Sequence, residues 1–175
     1  MKNLGLIICF AVGVLSTSCD NDDAVELFTV THISEFEVRA GLNTVETHFF
    51  VQPATNSPYD DLLESAGFED AAVGGITPKF CELTTAFGDI DLDFVRLVEI
   101  RVLDPFDPEY IREVFYLDPV PGNSRGTLRP FPGLLNVKEI IGQPTYGVEV
   151  RIIFRLPPPT TMKMRLLMEF SAVAK

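Results

Sequence analysis

Two runs toward the C-terminal side alternate apolar and charged residues with a period of two. Val148, Val150, Ile152, Phe154 and Leu156 are separated by Glu149, Arg151 and Arg155. Met162, Met164, Leu166, Met168 and Phe170 are separated by Lys163, Arg165 and Glu169. A period of two is the repeat of an extended strand. One apolar face and one wet face mark an antiparallel sheet. Such a face cannot stay exposed, so a second layer must cover it. Pro157-Pro158-Pro159 joins the two runs and cannot itself pair as a central strand.

The rest of the chain supplies that second layer. Residues 26–39 place Phe28, Val30, Phe36 and Val38 on one face, and His32 with Ser34 interrupts it, which predicts a bulge or an edge position. Gly41-Leu42-Asn43 offers turn chemistry, and 44–52 returns with Val45, Phe49 and Val51 aligned, so the two segments predict a hairpin. Residues 53–77 read as a long connection with two turns of helix, capped by Ser57, begun by Pro58 and stopped by Gly67. Strand patterns resume at 78–87, 92–103 and 111–117, with Asp104-Pro105-Phe106-Asp107-Pro108 as a turn. Residues 119–133 are rich in Pro and Gly and read as loop, and Asn136 to Gly142 makes a second small capped turn. About seven or eight strands with one or two short helical turns predict an all-β, antiparallel β-sandwich.

The other constraint lies at the start, MKNLGLIICFAVGVLSTSCDNDD. Lys2 precedes an apolar run from Leu4 to Leu15, the length of a signal-peptide core rather than of a membrane span. Small residues Ser16, Thr17 and Ser18 lead directly to Cys19. These residues resemble a bacterial lipoprotein signal of the looser type found in the Bacteroidota group, with Ser16 where leucine is commonest. The resemblance implies that residues 1–18 are removed and that Cys19 carries the lipid. It also implies that the acidic Asp20, Asp22 and Asp23 act as a surface-export signal. Residues 19–24 then form a tether and 25–175 a single domain, held to the outer membrane and facing the cell exterior. One acyl chain binds a bilayer only marginally, at about 0.8 kcal/mol per buried methylene, whereas two or three make a lasting anchor. The strand spacing resembles the immunoglobulin-like sandwiches common among such surface lipoproteins, without the Cys and Trp landmarks of true immunoglobulin domains.

Charge narrows the partners. The chain carries −11 at neutral pH, and loss of Lys2 with the leader would make it −12. An acidic surface repels nucleic acid and anionic lipid. Cys9 would leave with the leader and Cys19 would carry lipid, so Cys81 stands alone and no internal disulfide supports the fold. Cys81 shares a face with Leu83 and Phe87, which predicts a buried, inert thiol.

Four patterns suggest chemistry, and each meets a plainer alternative. Gly122-Asn123-Ser124-Arg125-Gly126 matches the G-x-S-x-G of a nucleophile elbow. That motif needs a strand before it, a helix after it and a histidine downstream. Prolines flank it and both histidines lie upstream, so a turn is the better reading. His32 and His48 face each other in the predicted hairpin and would bind zinc with Glu46, but zinc needs three or four ligands. Solvated or edge histidines fit better, and His48 with Cys81 makes a weaker thiol pair still. Asp89, Asp91 and Asp93 resemble the start of a calcium loop, with Asp104 or Asp107 as further ligands. The helix-loop-helix version needs Gly and Glu where Phe94 and Ile100 stand. Solvated carboxylates that protect a sheet edge fit better. Met162, Met164 and Met168 fit core packing rather than copper.

No cofactor or metal is therefore expected. The leading expectation is a non-enzymatic, lipid-anchored envelope domain that binds or supports another envelope protein or a glycan. Phe106, Tyr110 and Tyr59 are the rings expected at a glycan site. The alternatives are a hydrolase using Ser124 or a metal, and a fimbrial-type subunit that exchanges its first strand after a cut at Arg39-Ala40.

Overall fold

The computed structural model describes residues 25–86, 90–107 and 109–175. The leader, Cys19, the acidic run Asp20, Asp22 and Asp23, and also Asp89, lie outside these residues. Nine strands and two short helices follow in the order β1 Glu26–Val38, β2 His48–Asn56, α1 Tyr59–Ala66, β3 Val73–Thr85, β4 Val95–Leu103, β5 Ile111–Leu117, β6 Thr127–Leu128, β7 Phe131–Pro132, α2 Lys138–Ile141, β8 Thr145–Phe154 and β9 Met162–Ala174. They form two antiparallel sheets, a four-stranded one in the order β1-β9-β3-β6 and a five-stranded one in the order β2-β8-β4-β5-β7. The chain is an all-β sandwich, as its strand spacing predicts. No helix of the described residues is long and apolar enough to cross a membrane.

The immunoglobulin-like expectation is met at the level of two packed antiparallel sheets. The wiring is that of a jelly roll, two interleaved Greek keys. Here β1 and β9 are neighbours in one sheet, whereas the immunoglobulin order puts the first and last strands in opposite sheets. The two cleanest sequence patterns, β8 and β9, each take a central place in a different sheet. The proline run between them carries the chain from one layer to the other.

The expected hairpin of 26–39 with 44–52 does not form. β1 pairs with β9 and β2 with β8, so residues 39–47 arch across the edge of the sandwich. The crossing brings Phe36 of one layer against Phe50 of the other, rings 4.7 Å apart, while the aligned Val45, Phe49 and Val51, expected to face inward, are exposed. Pairing in one sheet would have turned both faces the same way. β1 is an edge strand, as expected, but its bulge lies between Glu26 and Phe28 rather than at His32.

The short helices close the gaps. Ser57 Oγ accepts from Tyr59 N at 3.3 Å and donates to the Ile141 carbonyl at 2.6 Å, so it serves both helical segments. Gly67, at φ 73°, ends α1 in a left-handed turn that a side chain would strain. Asn136 Oδ1 accepts from Lys138 N and Ile76 N, both at 3.0 Å, and pins α2 to β3. β3 already begins at Val73, inside the segment read as a long connection, with a bulge between Val73 and Gly75.

The interior is filled by the inward rows of both sheets, with Leu83, Ile100, Phe115, Ile152, Leu166 and Phe170 fully enclosed. Burying each such side chain contributes roughly 1.5 to 3 kcal/mol. Cys81 and the three strand methionines belong to this core, as their period predicts. Burial pushes the Cys81 thiol pKa up, with the Glu82 charge adding to it, so the thiol stays protonated.

Candidate functional site

The residues marked by the sequence fall at scattered places. Ser124 and the aspartates do converge: Ser124, Asp91, Asp93, Asn123 and Arg125 line a depression of about 210 Å³ at one end of the sandwich. Leu92 N donates to the Ser124 carbonyl at 2.9 Å, which joins the two loops. The Ser124 hydroxyl itself donates to the Pro121 carbonyl at 2.8 Å and is spent on the turn. A short strand, not a helix, follows it. Among the described residues no group of three or more His, Cys, Asp or Glu is placed to hold a metal. Asp104 and Asp107 cap their own turn, accepting from Phe106 N at 2.8 Å and Glu109 N at 3.1 Å.

The histidines do not face each other. His32 stands on the edge strand β1 but its ring is buried between the sheets, which corrects the solvated reading of it. Its Nδ1 lies 3.1 Å from the Tyr146 hydroxyl and its Nε2 2.9 Å from Ser34 Oγ. Burial holds its pKa down, at about 4. His48 lies on the other sheet, with Nε2 2.9 Å from the Asn43 carbonyl. The rings expected at a glycan site are also dispersed. Tyr59 is buried and donates to Asp70 at 2.7 Å. Tyr110 donates to Glu139 and lies under the Arg112 guanidinium, 4.0 Å from its centroid. Phe106 is 81 % exposed.

A different constellation emerges on the outer face of the five-stranded sheet. Strand register lines up Phe49 of β2, Arg151 of β8, Glu99 of β4, Tyr116 of β5 and Phe131 of β7 in one row across all five strands. The next row holds Val51, Glu149, Arg101 and Glu113. Glu99 bridges both guanidiniums, one carboxylate oxygen to Arg101 and the other to Arg151. Arg101 also reaches Glu149 at 3.7 Å. The Arg151 guanidinium lies 5.4 Å from the Phe49 centroid, and the Tyr116 and Phe131 centroids are 6.2 Å apart. The three rings are open to solvent, Phe49 at 54 %, Tyr116 at 46 % and Phe131 at 58 %. The charges between them are mostly covered by one another.

That crowding has electrostatic consequences. Burial alone would raise the Glu99 pKa, but hydrogen bonds from Arg101 and Arg151 outweigh it and hold the carboxyl below its ordinary range. Glu113 moves the other way, pushed up by burial and by the Glu99 charge beside it. Glu149 Oε1 and Arg151 Nε are enclosed without a hydrogen-bond partner. Carboxyls displaced in opposite directions are the usual basis of acid–base chemistry. Here Glu99 is clamped between two arginines, and Glu113 lies against it rather than across a gap of about 5 to 10 Å that a scissile bond would need. That spacing leaves no room for a substrate bond between the two carboxyls.

Sequence reasoning placed Glu149 and Arg151 on the wet side of a strand and missed the row. The only local signal was alternate Glu and Arg on two strands, Glu99 with Arg101 and Glu149 with Arg151. No protein-family model matches this chain, and a search of curated proteins finds no match to it.

Proposed function

We propose that the chain is a non-enzymatic, lipid-anchored cell-envelope protein that binds a partner through the outer face of its five-stranded sheet. The observation that carries the binding role is the row of exposed rings flanking mutually covered charges. Solvated surface charges need no such arrangement, since exposed ion pairs add little stability. The anchor reading is supported by the apolar run, the small residues and Cys19, with Asp20, Asp22 and Asp23 behind the outward-facing placement on the outer membrane. The partners are then the membrane, through lipid on Cys19, and an envelope protein or glycan at the sheet face. Nucleic acid is disfavoured by the −11 charge.

Cells grown with labelled palmitate test the anchor. Label in the protein and its loss from membranes in Cys19→Ala are expected. An unlabelled protein, or a Cys19→Ala variant that stays equally membrane-bound, overturns it.

One observation favours a second reading, strand exchange between subunits. β1 lies at a sheet edge, and Arg39 and Ala40 are exposed just beyond its end. A cut there would free a strand that a neighbour's segment could replace. An intact chain in the mature surface protein rules this reading out. The hydrolase reading draws no support from Ser124, whose hydroxyl is bound to Pro121.

A further inference from the structure

We infer that the ligand of the sheet face is a neutral glycan chain laid across the strands along the row Phe49–Arg151–Glu99–Tyr116–Phe131. The inference rests on the reading of this face as a binding face and names what it binds. Three observations select a glycan. The first is the order of chemistry along the row. Protein interfaces place aromatic residues at the centre and polar ones at the rim. This row does the reverse, with rings at both ends and the Arg151–Glu99 pair in the middle. An apolar partner pressed onto that centre would strip water from the ion pair and return nothing. A sugar chain offers hydroxyls to the charged centre and C–H faces to the rings.

The second observation is positional rigidity. Glu99 is fixed by two arginines, Arg101 two residues along its own strand and Arg151 opposite it on β8, so its remaining lone pairs point in set directions. Fixed acceptors and donors hold hydroxyls at low entropic cost. The third is charge. Glu99, Glu113 and Glu149 face only Arg101 and Arg151 here, on a chain whose net charge is −11. That balance repels acidic polysaccharides and leaves neutral ones. The span from β2 to β5 crosses three strand gaps, about 14 Å, room for several linked sugar rings.

The test uses the full chain in detergent, screened on an array of neutral glycans and by affinity electrophoresis in α-mannan, laminarin and xylan, with polygalacturonate as the acidic comparison. At least one neutral glycan should retard the protein. Phe49→Ala and Tyr116→Ala should each weaken that binding about tenfold, as expected for losing one ring contact. Both rings are exposed, and unchanged melting curves verify folding. Absence of any neutral ligand, binding to polygalacturonate alone, or retardation untouched by both variants overturns the glycan assignment. A photo-crosslinker at position 51, exposed in the neighbouring row, separates the two claims on cells. Crosslinking to a protein overturns the glycan and keeps the binding face, whereas no crosslinked product of any kind overturns both.

Discussion

The two outward surfaces of the sandwich start from the same alternating pattern and end differently. On the four-stranded sheet, Lys163, Arg165 and Arg129 extend into water, and the Arg129–Glu82 pair leaves Arg129 71 % exposed. On the five-stranded sheet, Glu99 is only 13 % exposed between its two arginines. The difference lies in what register brings together. β9 sets Arg165 between Glu35 and Thr84, so its cross-strand neighbours are one acid and one hydroxyl. β8 sets Arg151 between Phe49 and Glu99, and Glu149 between Val51 and Arg101. Apolar flanks keep water out on one side and opposite charges fill the other. An outward charge thus becomes a structural group when its cross-strand neighbours enclose it.

The largest way to break this contrast runs through the interior, where His32 on the first sheet meets Tyr146 on the second. The folded ring titrates at about 4, against 6.5 when free. As pH falls below 6.5 the unfolded chain takes up the proton first, so stability is complete above that value and drains away toward pH 4. The loss should reach about 3 kcal/mol in urea titrations across this window, and His32→Gln should flatten it. The second effect is a direct comparison of the faces. Glu99→Ala leaves two half-covered guanidiniums without their shared partner and should cost about 2 kcal/mol. Glu82→Ala on the other sheet should stay within about 0.5 kcal/mol. Equal losses would erase the distinction. The smallest effect concerns salt. The coupling between Lys79 and Glu26, paired at 2.8 Å in the open, should fall from about 0.5 kcal/mol to nothing between 0.1 and 1 M NaCl. The Glu99–Arg151 coupling, measured by the same double-mutant cycle, should keep most of its value.

Local patterns in the chain carried much of the fold. Period two placed β8, β9 and the inward Cys81, and the Ser57, Gly67 and Asn136 signals marked both helices. What failed was non-local. Gly41 and Asn43 have turn chemistry, yet nothing in 26–52 says that the two strands enter different layers; that choice is made by β8 and β9, far along the chain. The candidate site was hidden for the same reason. Phe49, Glu99, Tyr116 and Arg151 stand on four separate strands, and only pairing across the sheet sets them in one row. His32 looked like an interruption because its partner, Tyr146, is likewise remote.

β1 has one further consequence. Thirteen extended residues span about 40 Å, and nearly the whole length is laddered to β9. Ala174 N bonds the Val25 carbonyl at that strand's beginning. A tug on Val25 directed along the strand axis therefore loads every rung at once, in shear, instead of peeling them one after another. A body moored at this pole would resist flow far better than its modest size suggests.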